Sequence, residues 1–437
     1  MTEKSSLSLK TAILININIM LGIGIFANTV KIAKLSEALS ALSYIIIGIL
    51  MLPLVISMAK LSQLYPDGGF YAYAKNEIST FAGFFSSWGY LIGKLASGAF
   101  VTHVSLSLIQ KLMPSLGNIN IFTIETIVIT IFVLLNMLNM KSGGKIQAGF
   151  TILKIIPIIF AIFFGLFLFD LSNFSSINRI WEGIPKSLPF LLYATIGFES
   201  ICVLSNKIEN PSKNVSKAIL ISYFIAISIM TIYQLIFYGA LGTILSSITQ
   251  TPEYLQTFPV FLQKLLPNMP TFALYLKAIL HIAIASSALG GSYGIMFSNT
   301  WNIHTLAKNN HLFFSKMFTK FNQHGIPFAC VILIGFIYLT YLFITGGDQM
   351  QLPATASLGI VSAYTLSIIS LLIAKIKNPG IKINIFIPIV SIFNCILLML
   401  SCINMLINGG ISSLTIFATL MAFGCSMYFF TKKQIKI

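Results

Sequence analysis

Leu21-Gly22-Ile23-Gly24-Ile25-Phe26 decides how this chain is read, because it sets two glycines, one residue apart, near the middle of the first long apolar segment. In a helix interior each glycine costs about 1 kcal/mol against alanine. Such a pair marks either a contact where a neighbouring backbone comes close or a break in the helix. Lipid offers no partner to a free N–H or C=O, so unwound backbone at membrane depth must be buried in protein or line a cavity. A break therefore implies a site.

The rest of the chain supports a membrane setting. Its 437 residues are 56% hydrophobic and 9% charged, with a mean hydropathy of +0.89, whereas soluble domains carry about 25% charged residues. Apolar windows of about 20 residues, long enough to cross roughly 30 Å of hydrocarbon, occur twelve times: 11–33, 40–62, 80–110, 120–139, 148–170, 185–206, 215–242, 271–296, 327–346, 353–374, 383–405 and 411–430. The expected fold class is an all-α integral membrane protein of about twelve transmembrane helices, forming one unit without a soluble domain.

A net charge of +16 in a soluble protein would suggest nucleic acid, but here the lysines lie in the short connections. That pattern is a topology signal. With the N-terminus inside, eighteen of the 27 basic residues, Lys4 and Lys436 among them, are cytoplasmic, against seven outside, Arg179 included. Both termini are thus expected in the cytoplasm. The segment from Lys4 to Lys10 leads into an uncleaved first helix. The outer connection 243–270, with Pro252, Pro259, Pro267 and Pro270, suits a short helix or lid, and 297–326, with Phe313, Phe314 and Phe318, an amphipathic surface segment. The five cysteines lack metal or disulfide spacing and read as packing residues.

The sixth window contains Leu191-Leu192-Tyr193-Ala194-Thr195-Ile196-Gly197-Phe198-Glu199-Ser200, again with a glycine in mid-membrane and now with a carboxylate. Interrupted spans at corresponding positions of two halves are the sequence signature of a transporter site between inverted repeats. A free helix N-terminus suits a carboxylate through its amides and dipole, and exposed carbonyls at the other break suit an ammonium. Two such breaks match an α-amino acid or a similar zwitterion.

Three motifs carry a family resemblance. Gly22-Ile23-Gly24-Ile25-Phe26 is similar to a first-helix G-S-G-I-F. Pro66-Asp67-Gly68-Gly69-Phe70-Tyr71-Ala72-Tyr73 is similar to a P-x-G-G-x-Y-x-Y loop. Ile196-Gly197-Phe198-Glu199-Ser200, followed by Glu209-Asn210-Pro211 and Lys213-Asn214-Val215, is similar to a helix-six break with an N-P-x-[KR]-N-[IV] connection. Together they resemble the amino acid, polyamine and organocation transporter superfamily, with its basic amino acid/polyamine antiporter and amino acid permease branches.

The resemblance implies a fold of five plus five inverted helices, here 11–170 and 185–374, with two more at 383–430 and with helices one and six broken. It implies that amides around Ile23, Gly24 and Ile25 hold the substrate carboxylate and that carbonyls around Tyr193 and Ile196 hold its amino group, with Gly22, Gly197 and Lys94 in the same substrate-binding set. Tyr193 matches a gating aromatic, and Glu199 matches the helix-six glutamate of the exchangers. Two departures stand out: Ile23 replaces the motif's serine, and Trp301-Asn302 stands where a common S-R pattern is missing.

Four charges fall inside windows, Lys94, Glu125, Lys154 and Glu199, and intramembrane charges mark pathways or paired sites by default. Glu199 is expected to be a proton-titrating coupling residue or a structural partner. Lys154 resembles the helix-five lysine of members that do not use sodium; alternatively it snorkels to the inner interface. Lys94 matches a substrate-facing asparagine, where a fixed cation argues against a dibasic cargo and allows an acidic or neutral one; alternatively it pairs with Glu199 or another acid across the cavity. Glu125 is read as an interfacial charge, His103 and His281 as bonded core histidines, and Gly143-Gly144 as an inner loop.

The resulting expectation is a secondary transporter of the bacterial inner membrane, a monomer or homodimer in the lipid bilayer, moving an amino acid or related amine by alternating access. Protons or a counter-substrate would drive it. The alternatives are a polyamine or other organocation carrier and a non-transporting amino acid sensor of the same fold. No convergent nucleophile, base or metal set points to an enzyme, and no cofactor or nucleic-acid partner is expected.

Overall fold

The computed structural model describes residues 7–175, 181–249, 254–348, 351–409 and 412–435. Lys4, Arg179, Pro252 and Lys436 lie outside them. The described chain is all-helical. In order it contains α1 (Leu9–Met20), α2 (Gly24–Ser36), α3 (Ser40–Leu64), α4 (Gly69–Glu77), α5 (Thr80–Leu112), α6 (Ile121–Asn136), α7 (Met140–Phe167), α8 (Gly183–Thr195), α9 (Pro211–Leu241) and α10 (Thr243–Ser246). There follow α11 (Tyr254–Leu265), α12 (Pro270–Lys308), α13 (Ser315–Phe318), α14 (Phe328–Thr345), α15 (Gln351–Lys377), α16 (Phe386–Gly409) and α17 (Ser412–Ile435).

Each of the twelve apolar windows holds one of these helices, except the first and the sixth, which hold two shorter pieces. The first is α1 followed by α2. The sixth is α8 followed by a 3-10 helix, Ser200–Lys207. Local chemistry sets several starts: Ser8 accepts from Thr11 N at 3.3 Å, Ser79 from Ala82 N at 3.1 Å and Asn139 from Ser142 N at 2.9 Å, the capping role that short polar side chains play at helix N-termini.

The Asn139 cap starts α7 earlier than expected and takes Gly143 and Gly144 into the helix. They are not an inner loop. A side chain at Gly143 would strike the Phe297 ring of α12, and one at Gly144 would meet Thr11 of α1, so the pair lets three helices close together. Likewise α12 runs on to Lys308, so the 297–326 connection is helical over its first part, with Trp301 buried there. The loop after α3 forms the short α4, and the 243–270 connection holds α11.

Helix α5 lies at the centre, packed on α4, α12 and α15. At its crossing with α15 a Cβ on Gly93 would meet Ala356 O at 2.6 Å, so the backbones touch directly. Outward faces such as Ile152, Ile156, Ile159, Phe163 and Phe167 on α7 are exposed and apolar, the face expected of a helix bordered by lipid tails.

Candidate functional site

The first break spans Leu21 to Ile23. The N–H of Leu21 still bonds Ile17 O at 2.9 Å, and regular helix resumes with Phe26 and Ala27 N–H on Ile23 O at 3.0 and 2.9 Å. Between them, among the described residues, the amides of Gly22, Ile23, Gly24 and Ile25 make no hydrogen bond. They form the N-terminal end of α2, where the helix dipole favours an anion. Gly22 and Gly24 keep partial accessibility, while Leu21, Ile23 and Ile25 are buried.

At the second break, α8 ends at Thr195, Ile196 turns extended (ψ 142°), and Gly197 takes φ +131°. That φ belongs to a backbone region that essentially only glycine enters. The N–H of Ile196 reaches Tyr193 O at 3.4 Å, whereas the carbonyls of Ala194, Thr195 and Ile196 accept no bond among the described residues. The two breaks abut, since a Cβ at Gly24 would lie 3.3 Å from Ala194 Cβ. Unused amides and unused carbonyls thus sit side by side.

One face of α5, Tyr90, Lys94 and Ser97, addresses the second break. Lys94 Nζ lies 2.7 Å from Glu199 Oε1, and both side chains are nearly or wholly buried. Tyr90 OH donates to the same oxygen at 3.2 Å, while Glu199 Oε2 accepts the Gly197 N–H at 2.8 Å. The carboxylate therefore clamps its own break to α5. One turn above, Ser97 Oγ and Tyr193 OH are 3.1 Å apart. Ile23 packs with Phe100, Val101, Val104 and Ala288 in a small apolar cluster separate from the main core.

Lys154 is fully buried and donates to Asn18 O. It does not snorkel to an interface. Asn18 in turn donates to Gln147 Oε1 and, at 2.8 Å, to Gly290 O. Asn16 donates to Phe198 O at 2.6 Å and accepts from Ile201 N at 3.1 Å, which ties α1 to the second break. Lys154 is thus bonded to the end of α1, and Lys94 to the carboxylate of the second break.

The two ends of the broken helices are each joined. At one end, Leu7 N–H donates to Lys207 O at 2.7 Å and Glu209 N–H to Leu7 O at 3.0 Å, while Lys207 Nζ sits 4.0 Å over the Trp301 ring. At the other, Lys31 Nζ lies 3.6 Å over the Phe190 ring, and Asn28 donates to Phe190 O at 3.2 Å.

The sequence-derived positions therefore converge: Gly22 to Ile25, Tyr193, Ile196, Gly197, Lys94 and Glu199 enclose one locus, with Lys154 one helix away. Glu125 departs from its reading. It is buried and 2.6 Å from His103 Nδ1, not interfacial. His281 bonds backbone oxygens of Lys277 and Leu255. Asn16, Asn18, Gln147 and Tyr90 were missed, although two asparagines in Ile15-Asn16-Ile17-Asn18-Ile19, just ahead of the glycine pair, were a signal in plain view.

A helical membrane bundle whose two broken helices meet around a polar locus has the layout of a secondary transporter. The family model for amino acid permeases matches residues 7–428, and the chain belongs to that family. Relatives include the DL-alanine permease of Lactococcus lactis subsp. cremoris, 25% identical over 352 residues, covering 74% of this chain and 71% of the relative. A protein of Escherichia coli K12 named for arginine/ornithine antiport is 25% identical over 391 residues, covering 84% and 81%. The protein is thus an integral membrane amino acid transporter.

Proposed function

We propose that the chain carries an α-amino acid through this locus by alternating access, driven by protons or by exchange for a second substrate. The observation that carries the reading is the row of unbonded amides from Gly22 to Ile25 beside the unbonded carbonyls of Ala194 to Ile196. A substrate carboxylate on the amides and an ammonium on the carbonyls would gain charge-assisted hydrogen bonds of about 1.5–3 kcal/mol each. Ile23 offers no hydroxyl, so the backbone alone reads the carboxylate.

In this reading 11–170 and 185–374 are two inverted repeats, 383–430 adds two helices, and α1 and the 3-10 helix move against α2 and α8. Tyr193 on Ser97 is the outer gate, and Lys154 on Asn18 O fills the place a coupling cation would take. Both termini face the cytoplasm of a bacterial inner membrane. Purified protein in liposomes, preloaded with an unlabelled amino acid mixture and given labelled amino acids outside, should accumulate label. Binding without flux would make the chain a sensor and end the carrier reading.

A further inference from the structure

The two relatives differ in the charge of their named cargo, and the buried groups around the breaks bear on which kind this chain takes. We propose that its cargo is a neutral amino acid with a small aliphatic or hydroxyl side chain, neither dibasic nor acidic. This rests on the carrier reading above.

A dibasic substrate needs an acceptor for its second cation. The carboxylate at the breaks, Glu199, has both oxygens in use: Oε1 holds Lys94 at 2.7 Å and Tyr90 at 3.2 Å, and Oε2 holds the Gly197 N–H at 2.8 Å. An incoming ammonium or guanidinium would also meet the Lys94 ammonium, and displacing it would leave that cation buried without its partner. An acidic substrate needs an unspent cation. Lys94 is spent on Glu199, and Lys154 on Asn18 O of α1. The fourth intramembrane charge, Glu125, is bonded to His103. Two opposite charges thus cancel at the locus, and the substrate's own carboxylate and ammonium are left as the charges to be matched by backbone.

Size follows from the walls. Ile23, whose amide belongs to the carboxylate row, is itself packed against Phe100, Val101, Val104 and Ala288, and the Ser97–Tyr193 hydroxyl pair bridges α5 to α8 beside it. A side chain entering here meets apolar surface and two hydroxyls, which suit a methyl or hydroxymethyl group. A long cationic chain would have to part a bonded contact and end among carbons.

The test is competition for labelled L-alanine uptake into liposomes holding the full chain and loaded with L-alanine. Unlabelled L-alanine and L-serine should compete at least tenfold better than L-arginine, L-ornithine or L-glutamate. Arginine or glutamate competing as well as alanine would overturn the proposal while leaving the carrier reading intact. The same ranking in binding to detergent-solubilised protein, with no flux, would uphold the proposal and sink the carrier reading. Lys94→Met frees Glu199 and should improve arginine competition about tenfold; no change would count against the pair as the selector. Should that variant fail to fold, Lys94→Met/Glu199→Gln removes both charges and should still rank alanine above arginine, and a reversed ranking overturns the proposal.

Discussion

The Lys154 ammonium, fully buried, donates to the main-chain carbonyl of Asn18, three residues before the first break. In the proposed reading this fixed cation stands where a bound metal cation would otherwise sit. Uptake should therefore be the same with sodium or choline as the bulk cation, and a dependence on sodium would end this role. Lys154→Met leaves a buried carbonyl unpaired, at a cost of about 1–3 kcal/mol, and should lower both transport and melting temperature in detergent.

Glu199 and Lys94 form one electrostatic unit, so a proton added to Glu199 and the release of Lys94 would be a single event. Glu199→Gln should flatten the pH dependence of uptake. It should also destabilise the fold by about 3–5 kcal/mol, because Lys94 is left buried without its counter-charge. Lys94→Met/Glu199→Gln should regain much of that stability and keep the flattened profile. A pH profile unchanged from the parent would take Glu199 out of the coupling.

Gly197 combines φ +131° with close surroundings, a Cβ there lying 3.1 Å from both Met20 N and Ile19 Cγ2. Gly197→Ala should cost about 1–3 kcal/mol in backbone strain and abolish uptake, because the Gly197 N–H no longer meets Glu199. Uptake at the parent rate would show that this break is not needed.

His311, in the turn after α12, donates to or accepts from Tyr71 OH at 2.8 Å, and burial, with the Lys75 charge second, lowers its pKa from 6.5 to about 4. The unfolded chain then binds the proton that the folded one refuses, so stability is present above about pH 6.5 and falls as pH drops towards about 4. Thermal melts of detergent-solubilised protein should decline over that window, and His311→Gln should decline less. An equal decline would place the acid sensitivity elsewhere.

The sequence carried the architecture further than the energetics. Hydrophobic runs and the two glycine interruptions placed the helices and the locus, because span length and the intolerance of lipid for free backbone act on local sequence. Pairings across the bundle were not legible. Taken segment by segment, Lys94 has more than one reading, Glu125 reads as interfacial although His103 covers it, and Gly143-Gly144 reads as a loop although Asn139 caps a helix there. Each depends on which helices are neighbours, which no single segment encodes.

The bond pair between Leu7 and residues 207 and 209 joins main chain to main chain, so it is indifferent to which side chains these positions carry. Side-chain identity is constrained there by other contacts: Leu7 is buried and Lys207 lies over the Trp301 ring. What the seam cannot spare is a donor: Glu209→Pro would remove the bond to Leu7 O and leave a single main-chain link between the start of α1 and the end of the 3-10 helix, with the residues of both breaks untouched.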